Sequence, residues 1–579
     1  MKKVALTEES FREIIQGDYL YIDKTRYILE MISRYKFCFL SRPRRFGKTL
    51  LIDTLHELFQ GNRELFKGLW IDPENSKGEI NHNPNVGSIK RSNYDFPRHP
   101  VIHLNMNYGR VTNPDELASL IVDDLQDYAD LAQITLKSCN FSNIFKHLFK
   151  ELSKQYNGAR TVLLIDEYDA PVTSAIDDPI LAQGACNVLH DFYSALKKNS
   201  KMIRFCAVTG ITRFAKTALD SGPNMFKDIS LTPYFAGICG FTVPEFDDVL
   251  TGIGAEILEG VKENNNINPT ASVEELRKKI LSYYDGYNWL GDSKILNPFS
   301  ILNFLDENTF EFFWALSGRP SHLTKLIKQY PLDYLKPELG NFSVETLKQT
   351  GLESLEPAAI LFHSGYLTID KTESIAETID GNLNEYKLFT LKIPNNEVER
   401  TYRKLCFGTF FDINASKLTS YGPKFISAFT LKSSTDLDEC LNAMLAKVTY
   451  WQRIADEKYY HALFQMAMLA TGVKVQSEIA GRTGRSDLIV ELPDRRYVII
   501  EIKRLPNADI NFTEETLANS LDKALKQIDA ADYAETLRMD RPTEIIGLAA
   551  VFYGKNIVRT KFWEGRDLTV PPNISSTIA

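Results

Sequence analysis

The sequence predicts an α/β protein with two separate sheets and a mainly helical stretch between them. Three observations predict it. In the first 235 residues, short apolar runs alternate with helical patterns, and the runs end in Ser41, in Asp166 and in Thr209-Gly210. From about residue 240 the strands thin out and apolar residues recur at helical spacing. Past residue 470, three short strands are followed by a helix and one long apolar strand. Strands that alternate with helices build a parallel sheet with right-handed crossovers.

The elements follow in order. Tyr35–Leu40 reads as a buried strand. Ser41 to Thr49 is a glycine-containing turn, and Leu50–Phe59 is a helix with Leu51, Leu55 and Leu58 on one face. Val101–Leu104 is a second strand, and helical patterns fill Asp115–Lys154. Thr161–Ile165 is a strongly apolar strand that ends in Asp-Glu-Tyr-Asp, and Arg204–Val208 is the next. Glu245–Glu259, Val273–Tyr284, Ser300–Leu305 and Pro320–Lys328 are predicted helices. Asn264–Asn268 and Lys371–Glu385 are polar and turn-rich, so loops or hairpin ends are expected there. Asp436–Thr471 is largely helical. Val473–Gln476, Ser486–Glu491 and Tyr497–Ile502 are strands, Glu514–Ala531 a helix, and Ile545–Tyr553 the closing strand. A frayed tail is expected from Pro571. The predicted boundaries are 1–235, 236–390 for the helical lid or connector, 391–570 with a helical lead-in, and 571–579.

Composition excludes several classes. At 579 residues, a prior of roughly 150 per domain allows three or four domains. With 44% hydrophobic and 25% charged residues, the chain is neither disordered nor fibrous. No uncharged apolar run reaches the ~18 residues of a membrane helix. The N-terminus turns acidic before any apolar stretch forms, unlike a signal peptide. Seven scattered cysteines without a Cys-x-x-Cys pair argue against a disulfide framework or structural zinc, so a reducing cytoplasm is expected. A net charge of −8 excludes a polybasic nucleic-acid glue, though not a local basic channel.

Two places carry chemistry. Gly47-Lys48-Thr49, after a strand and before a helix, is the back half of a P-loop. Backbone amides of Arg45, Phe46, Gly47 and Leu50 and the helix N-terminus would cradle phosphates, Lys48 would reach the β- and γ-phosphates, and Thr49 would hold Mg²⁺. The full pattern has Gly at position 42, where this chain has Arg42. Leu163-Leu164-Ile165-Asp166-Glu167 is the Walker B arrangement: Asp166 can contact the metal and Glu167 can polarise an attacking water. Thr209 is a candidate γ-phosphate sensor, and Arg213 can neutralise charge in cis or from a neighbouring subunit. Taken alone, Asp166-Glu167 is as compatible with a helix cap; Lys48-Thr49 supplies the context.

The second place is Gly484-Arg-Ser-Asp487, followed by Tyr497-Val-Ile-Ile-Glu501-Ile-Lys503. Side chains alternate along a strand, so Glu501 and Lys503 share a face and Ile502 turns to the core. With Asp487 they make a hard-oxygen Mg²⁺ site, with Mn²⁺ as an alternative ion. Such a metal binds a scissile phosphate and acidifies a water, which Lys503 would orient. Glu457 is a candidate further ligand, Gln527 a candidate water or phosphate contact, and His461 lies one helical turn after Glu457. A bare Glu-x-Lys is a strand end with a salt bridge; the order of the surrounding elements lifts it. Arg42, Arg44 and Arg45 can meet phosphates or pair with Asp23 or Asp169. Tyr283, Tyr284, Tyr287 and Trp289 can stack bases or pack under the lid.

Further motifs run through the chain: Tyr21-Ile-Asp-Lys-Thr25, Leu164-Ile-Asp-Glu-Tyr-Asp-Ala-Pro171, Cys239-Gly-Phe-Thr242, Tyr284-Asp-Gly-Tyr287 with Asn297-Pro298, Gly365-Tyr-Leu367 and Ile393-Pro-Asn395. In this order, together with the two sites, they resemble the bacterial AAA-ATPase-like family fused to a C-terminal PD-(D/E)xK nuclease domain. In that family Arg also stands at the first Walker glycine. The resemblance implies a P-loop NTPase parallel sheet with a helical lid, followed by an α/β PD-(D/E)xK nuclease-like domain. It implies ATP, Mg²⁺ and a nucleic-acid partner, DNA favoured over RNA, with no membrane. The expected activity is nucleotide-controlled DNA cleavage. The alternative is a nucleotide-switched binding or signalling module. Homo-oligomerisation is left open.

Overall fold

The computed structural model describes residues 3–6, 8–74, 94–138, 140–212, 225–264, 267–314, 338–347, 357–379, 382–411, 415–446, 460–461, 464–465, 467–468, 473–480, 485–505, 513–553 and 557–571. The chain divides into two compact units, Met1–Leu323 with Lys336–Glu399, and Arg400–Ala579 with Thr324–Leu335.

In the first unit, β1 (Phe37–Ser41), β2 (Val101–Asn105), β3 (Thr161–Asp166), β4 (Ile203–Gly210) and β5 (Lys227–Asp228) form one parallel sheet in the order β2-β3-β4-β1-β5. Helices α1 (Phe11–Gln16), α2 (Thr25–Arg34), α3 (Lys48–Phe59), α4 (Pro114–Leu131), α5 (Phe141–Gln155), α6 (Ala170–Ser174) and α7 (Pro179–Lys198) connect and cover it. Every residue of β1 and β3 is buried, the pattern of strands covered on both faces. In α5, Ile144, Phe145, Leu148, Phe149 and Leu152 make one buried stripe, and the Asn140 side chain caps the start of the helix. That stripe joins Leu163, Ile165, Phe192 and Cys206 in the core. Each such apolar side chain contributes roughly 1.5–3 kcal/mol by leaving water.

Past the sheet, a short pair, β6 (Phe241–Thr242) and β7 (Ile295–Leu296), accompanies the helices Val243–Glu263, Val273–Tyr284 and Pro298–Glu307. Two capping boxes, Thr242 with Glu245 and Ser272 with Glu275, start the first two helices. The expectation of a mainly helical 236–390 needs correction here. β8 (Glu338–Ser343), β9 (Thr368–Ile379) and β10 (Asn382–Lys392) form an antiparallel sheet in the order β8-β10-β9. Lys371–Glu385, expected as loop, lies mostly in this hairpin. Its polar residues fall on both faces, so the period-two apolar signal is missing although Thr372, Ile375 and Thr378 suit a strand. The expected helix Pro320–Lys328 lies outside the described residues.

In the second unit, β11 (Lys474–Ala480), β12 (Arg485–Leu492), β13 (Arg496–Arg504), β14 (Glu544–Tyr553) and β15 (Ile557–Phe562) form a sheet in sequence order. β13 and β14 run parallel, and the helix Glu514–Ala530 makes the crossover between them. The other neighbours are antiparallel. One face packs on Phe425, Leu437, Leu441 and Phe464, the other on Leu517, Leu521, Leu525 and Ile528. Sequence reasoning missed β15, a short edge strand with alternating Val558, Thr560 and Phe562 inward.

Candidate functional site

The strand order positions the first site. β4 lies between β1 and β3, so the loop after β1 and the carboxylate ending β3 face each other across the end of β4. Thr209, near the end of β4, fills that gap. Its hydroxyl donates to Asp166 Oδ1, while the Thr49 hydroxyl donates to Asp166 Oδ2 at 2.7 Å. Asp166 is fully buried, and its Oδ1 also accepts the Glu167 amide at 2.9 Å. Thr49, Asp166 and Thr209 are thus one hydrogen-bonded set of hard oxygen donors, chemically fit for Mg²⁺.

The loop itself is held by unusual backbone. Gly47 has φ +81° and begins α3, and no atom lies near enough to contact an added Cβ. Glycine is needed for the left-handed turn, not for space. Arg45 and Glu167 also have positive φ, 65° and 50°, conformations that side chains rarely adopt outside sites that require them. Lys48 is buried and donates to the carbonyls of Arg42 and Pro43 at 3.1 and 3.0 Å. Burial holds its pKa below the ordinary lysine value, while Asp166, Asp169 and Glu167 pull it back up. Burial, then the Asp166 charge, raise Glu167, and a hydrogen bond from Asn107 opposes them. Arg44, Arg45, Lys48, Thr49, Asn107, Glu167 and Asp169 line an open cleft of about 600 Å³.

Arg42 is part of the scaffold. It is 1% exposed, donates to the carbonyls of Ser41, Ser230 and Phe235, and stacks 4.4 Å from the Trp289 ring centroid. The expected pairing with Asp23 or Asp169 does not occur: Asp23 accepts from Thr25 and Trp70, and Asp169 from Thr212. Phe46 turns inward and packs edge-on against Tyr287 and Trp289. These aromatics, with Tyr284, are therefore core. Gly286, at φ +109°, sits against the Pro394 carbonyl where any Cβ would collide, and Asn395 Nδ2 donates to the Asp285 carbonyl at 2.8 Å. The Tyr287 hydroxyl donates to the Gly365 carbonyl. Motifs far apart in sequence thus meet behind the loop.

In the second unit, the ladder between β12 and β13 stops at Leu488 opposite Ile500. Beyond it, Asp487 Oδ2 takes the Ile502 amide at 2.7 Å, which brings the carboxylate across to β13. Glu501 is 2% exposed, and Lys503 Nζ lies 2.7 Å from its Oε1, while Ile502 is fully buried. Asp487, Glu501 and Lys503 therefore gather at one strand end. Gln527 donates to the Tyr533 hydroxyl at 3.0 Å. Burial raises the Tyr533 pKa, and the charges of Glu501, Asp487 and Lys503 all act on it. His461 Nε2 lies 2.8 Å from the Asp487 carbonyl oxygen, which only accepts, so this nitrogen carries the proton and positions Asp487 rather than a metal.

Comparison with known proteins agrees with this geometry. Residues 6–220 match the family model described as "Predicted AAA-ATPase", and residues 455–562 that of the PD-(D/E)XK nuclease superfamily. The chain joins an AAA-ATPase-like domain to a PD-(D/E)XK superfamily domain. A protein of Azotobacter chroococcum mcd 1, described as "Uncharacterized protein in vnfD 5'region", is 28% identical over 557 residues, covering 94% of this chain and 96% of the relative.

In the ATPase-like domain the structure brings Lys48, Thr49, Asp166, Glu167 and Thr209 together; Arg213 lies outside the described residues. In the PD-(D/E)XK domain it gathers Asp487, Glu501 and Lys503, with Gln527 reaching Tyr533; Glu457 lies outside the described residues. Among the described residues, no group of three or more His, Cys, Asp or Glu is arranged to hold a metal. The two carboxylates there are hard donors that suit Mg²⁺ or Mn²⁺, with water and phosphate oxygens completing the shell. No helix of the described residues is long and apolar enough to cross a membrane. Sequence reasoning missed Asn107 and Tyr533. Each is a lone polar residue whose partner is set by the fold, so no spacing announces it.

Proposed function

We propose that this protein binds and hydrolyses ATP at the first site and cleaves DNA, in a metal-dependent reaction, at the second, with nucleotide controlling cleavage. The observation that carries the cleavage reading is the gathering of Asp487, Glu501 and Lys503 where β12 and β13 part. The bound metal supplies charge neutralisation and an acidified water. Asp487 and Glu501 hold it. Lys503, kept in place by Glu501, orients the nucleophile and stabilises charge developing on the phosphate. The His461 bond fixes the backbone from which Asp487 projects. At the first site, Lys48 and the loop amides receive the phosphates, Thr49 and Asp166 hold Mg²⁺, and Glu167, steadied by Asn107, takes a proton from the attacking water.

The test incubates the full chain with linear, nicked and supercoiled DNA and with RNA, in Mg²⁺ or Mn²⁺, beside Lys503→Ala. Cleavage of DNA that Lys503→Ala loses is expected. If the wild type binds ATP yet cleaves nothing under any condition, the binding or signalling module replaces the nuclease.

A further inference from the structure

A second cavity lies beside the phosphate cleft in the first unit. It is a slot of about 110 Å³, and the two share Ala5, Glu8, Gly47, Leu50, Pro298 and Leu302 as walls. Its remaining lining is largely carbon, including Leu20, Ile22, Ile28, Phe46, Leu51 and Phe241. The polar side chains that reach it are engaged. Lys24 Nζ lies 2.8 and 2.6 Å from the two Glu245 oxygens, and the Tyr21 hydroxyl bonds with Thr54. Burial raises the Cys239 pKa, so its thiol is neutral. The slot therefore offers no charge to hold an anion, and it has room for a ring rather than a single ion.

We infer that this slot is the nucleoside subsite, taking the base of the same nucleotide whose phosphates lie at Gly47–Thr49. The inference rests on the nucleotide reading proposed above and adds where the base goes. A nucleotide leaving the phosphate cleft past Gly47 and Leu50 enters the slot directly, because those residues wall both. The slot's walls come from three stretches of chain: the N-terminal segment with Ala5 and Ile22, the start of α3, and the helical region with Phe241 and Leu302. A base seated there stacks on carbon and ties the three together, whereas a bare polyphosphate touches only the loop. ATP therefore stabilises this unit against unfolding more than tripolyphosphate does at equal occupancy.

The experiment measures binding of ATP and of inorganic tripolyphosphate, both with Mg²⁺, by calorimetry on the full chain. The proteins are wild type, Leu302→Trp, which fills the slot, and Lys48→Ala. The expected result is that Leu302→Trp weakens ATP by about tenfold or more while tripolyphosphate stays within about twofold. Retained tripolyphosphate binding also shows that the variant is folded. Unchanged ATP binding in Leu302→Trp overturns the subsite and leaves the phosphate site standing. Failure of wild type to bind either ligand, or indifference of both to Lys48→Ala, overturns the nucleotide reading itself. Should Leu302→Trp lose both ligands, Ile22→Trp, on a different stretch of the wall, decides by the same two outcomes.

Discussion

The two sites are built on different principles. The ATPase-like site is shaped by backbone: Gly47, Arg45 and Glu167 all hold positive φ, and Arg42 and Phe46 anchor the loop from behind on Trp289 and Tyr287. The PD-(D/E)XK site is shaped by side-chain charge. Asp487, Glu501 and Lys503 sit on ordinary strand residues and are placed by the parting of β12 from β13. The first site should therefore fail when distant packing is disturbed. The second should fail when a single charge is removed, with its sheet intact.

The sharpest break is chemical. Lys503→Ala and Glu501→Gln should each lower cleavage by about a hundredfold or more, as expected for loss of an electrostatic group at a reacting phosphate. Circular dichroism should show the sheet retained. Equal loss of folded structure would make the triad part of the scaffold instead.

Packing gives the next effect. Phe46→Ala removes a fully buried ring behind the loop and should destabilise the first unit by about 3–5 kcal/mol, with weaker ATP binding at temperatures where the unit remains folded. Denaturant titration checks it, and a cost below about 1 kcal/mol would mean that the aromatic anchor does not support the loop.

A buried carboxyl supplies a pH test. Glu397 is 1% exposed, accepts from the Trp314 amide and the Ser300 hydroxyl, and burial pushes its pKa up to about 7. Its folded pKa lies above the unfolded value, so the native state binds the extra proton between the two. Its stabilising contribution is full below about pH 4.5, declines as pH rises towards 7, and levels off above, a change on the order of 3 kcal/mol. Glu397→Gln should flatten that decline. An unchanged melting profile across this range would exclude Glu397 as its source.

The smallest effect concerns Asn107. Its bond lowers the Glu167 pKa, so Asn107→Ala should move the acid limb of ATP hydrolysis to higher pH, with ATP binding little changed. A limb that stays in place would remove Asn107 from the site.

The same contrast governs what the sequence could reveal. Lys48-Thr49, Asp166-Glu167 and Glu501-x-Lys503 are local patterns, so their meeting could be anticipated from strand order alone. The anchor of Arg42 was not legible, because its partner Trp289 is remote in the chain and an arginine in a phosphate loop suggests phosphate. The same holds for Asn107 and Tyr533. The β9–β10 hairpin was hidden by polar residues on both faces, and β15 by its shortness. The motifs around Tyr284, Gly365 and Pro394 were visible as motifs, but only the fold shows that they meet behind the loop.

The central claim, that one chain uses nucleotide to control cleavage, is tested most directly by crossing the two sites. The rate of DNA cleavage would be measured with and without ATP, in wild type and in Lys48→Ala. The account predicts that ATP changes the wild-type rate severalfold and leaves the Lys48→Ala rate unchanged. Cleavage equally fast in all four conditions would contradict it and leave two independent sites on one chain.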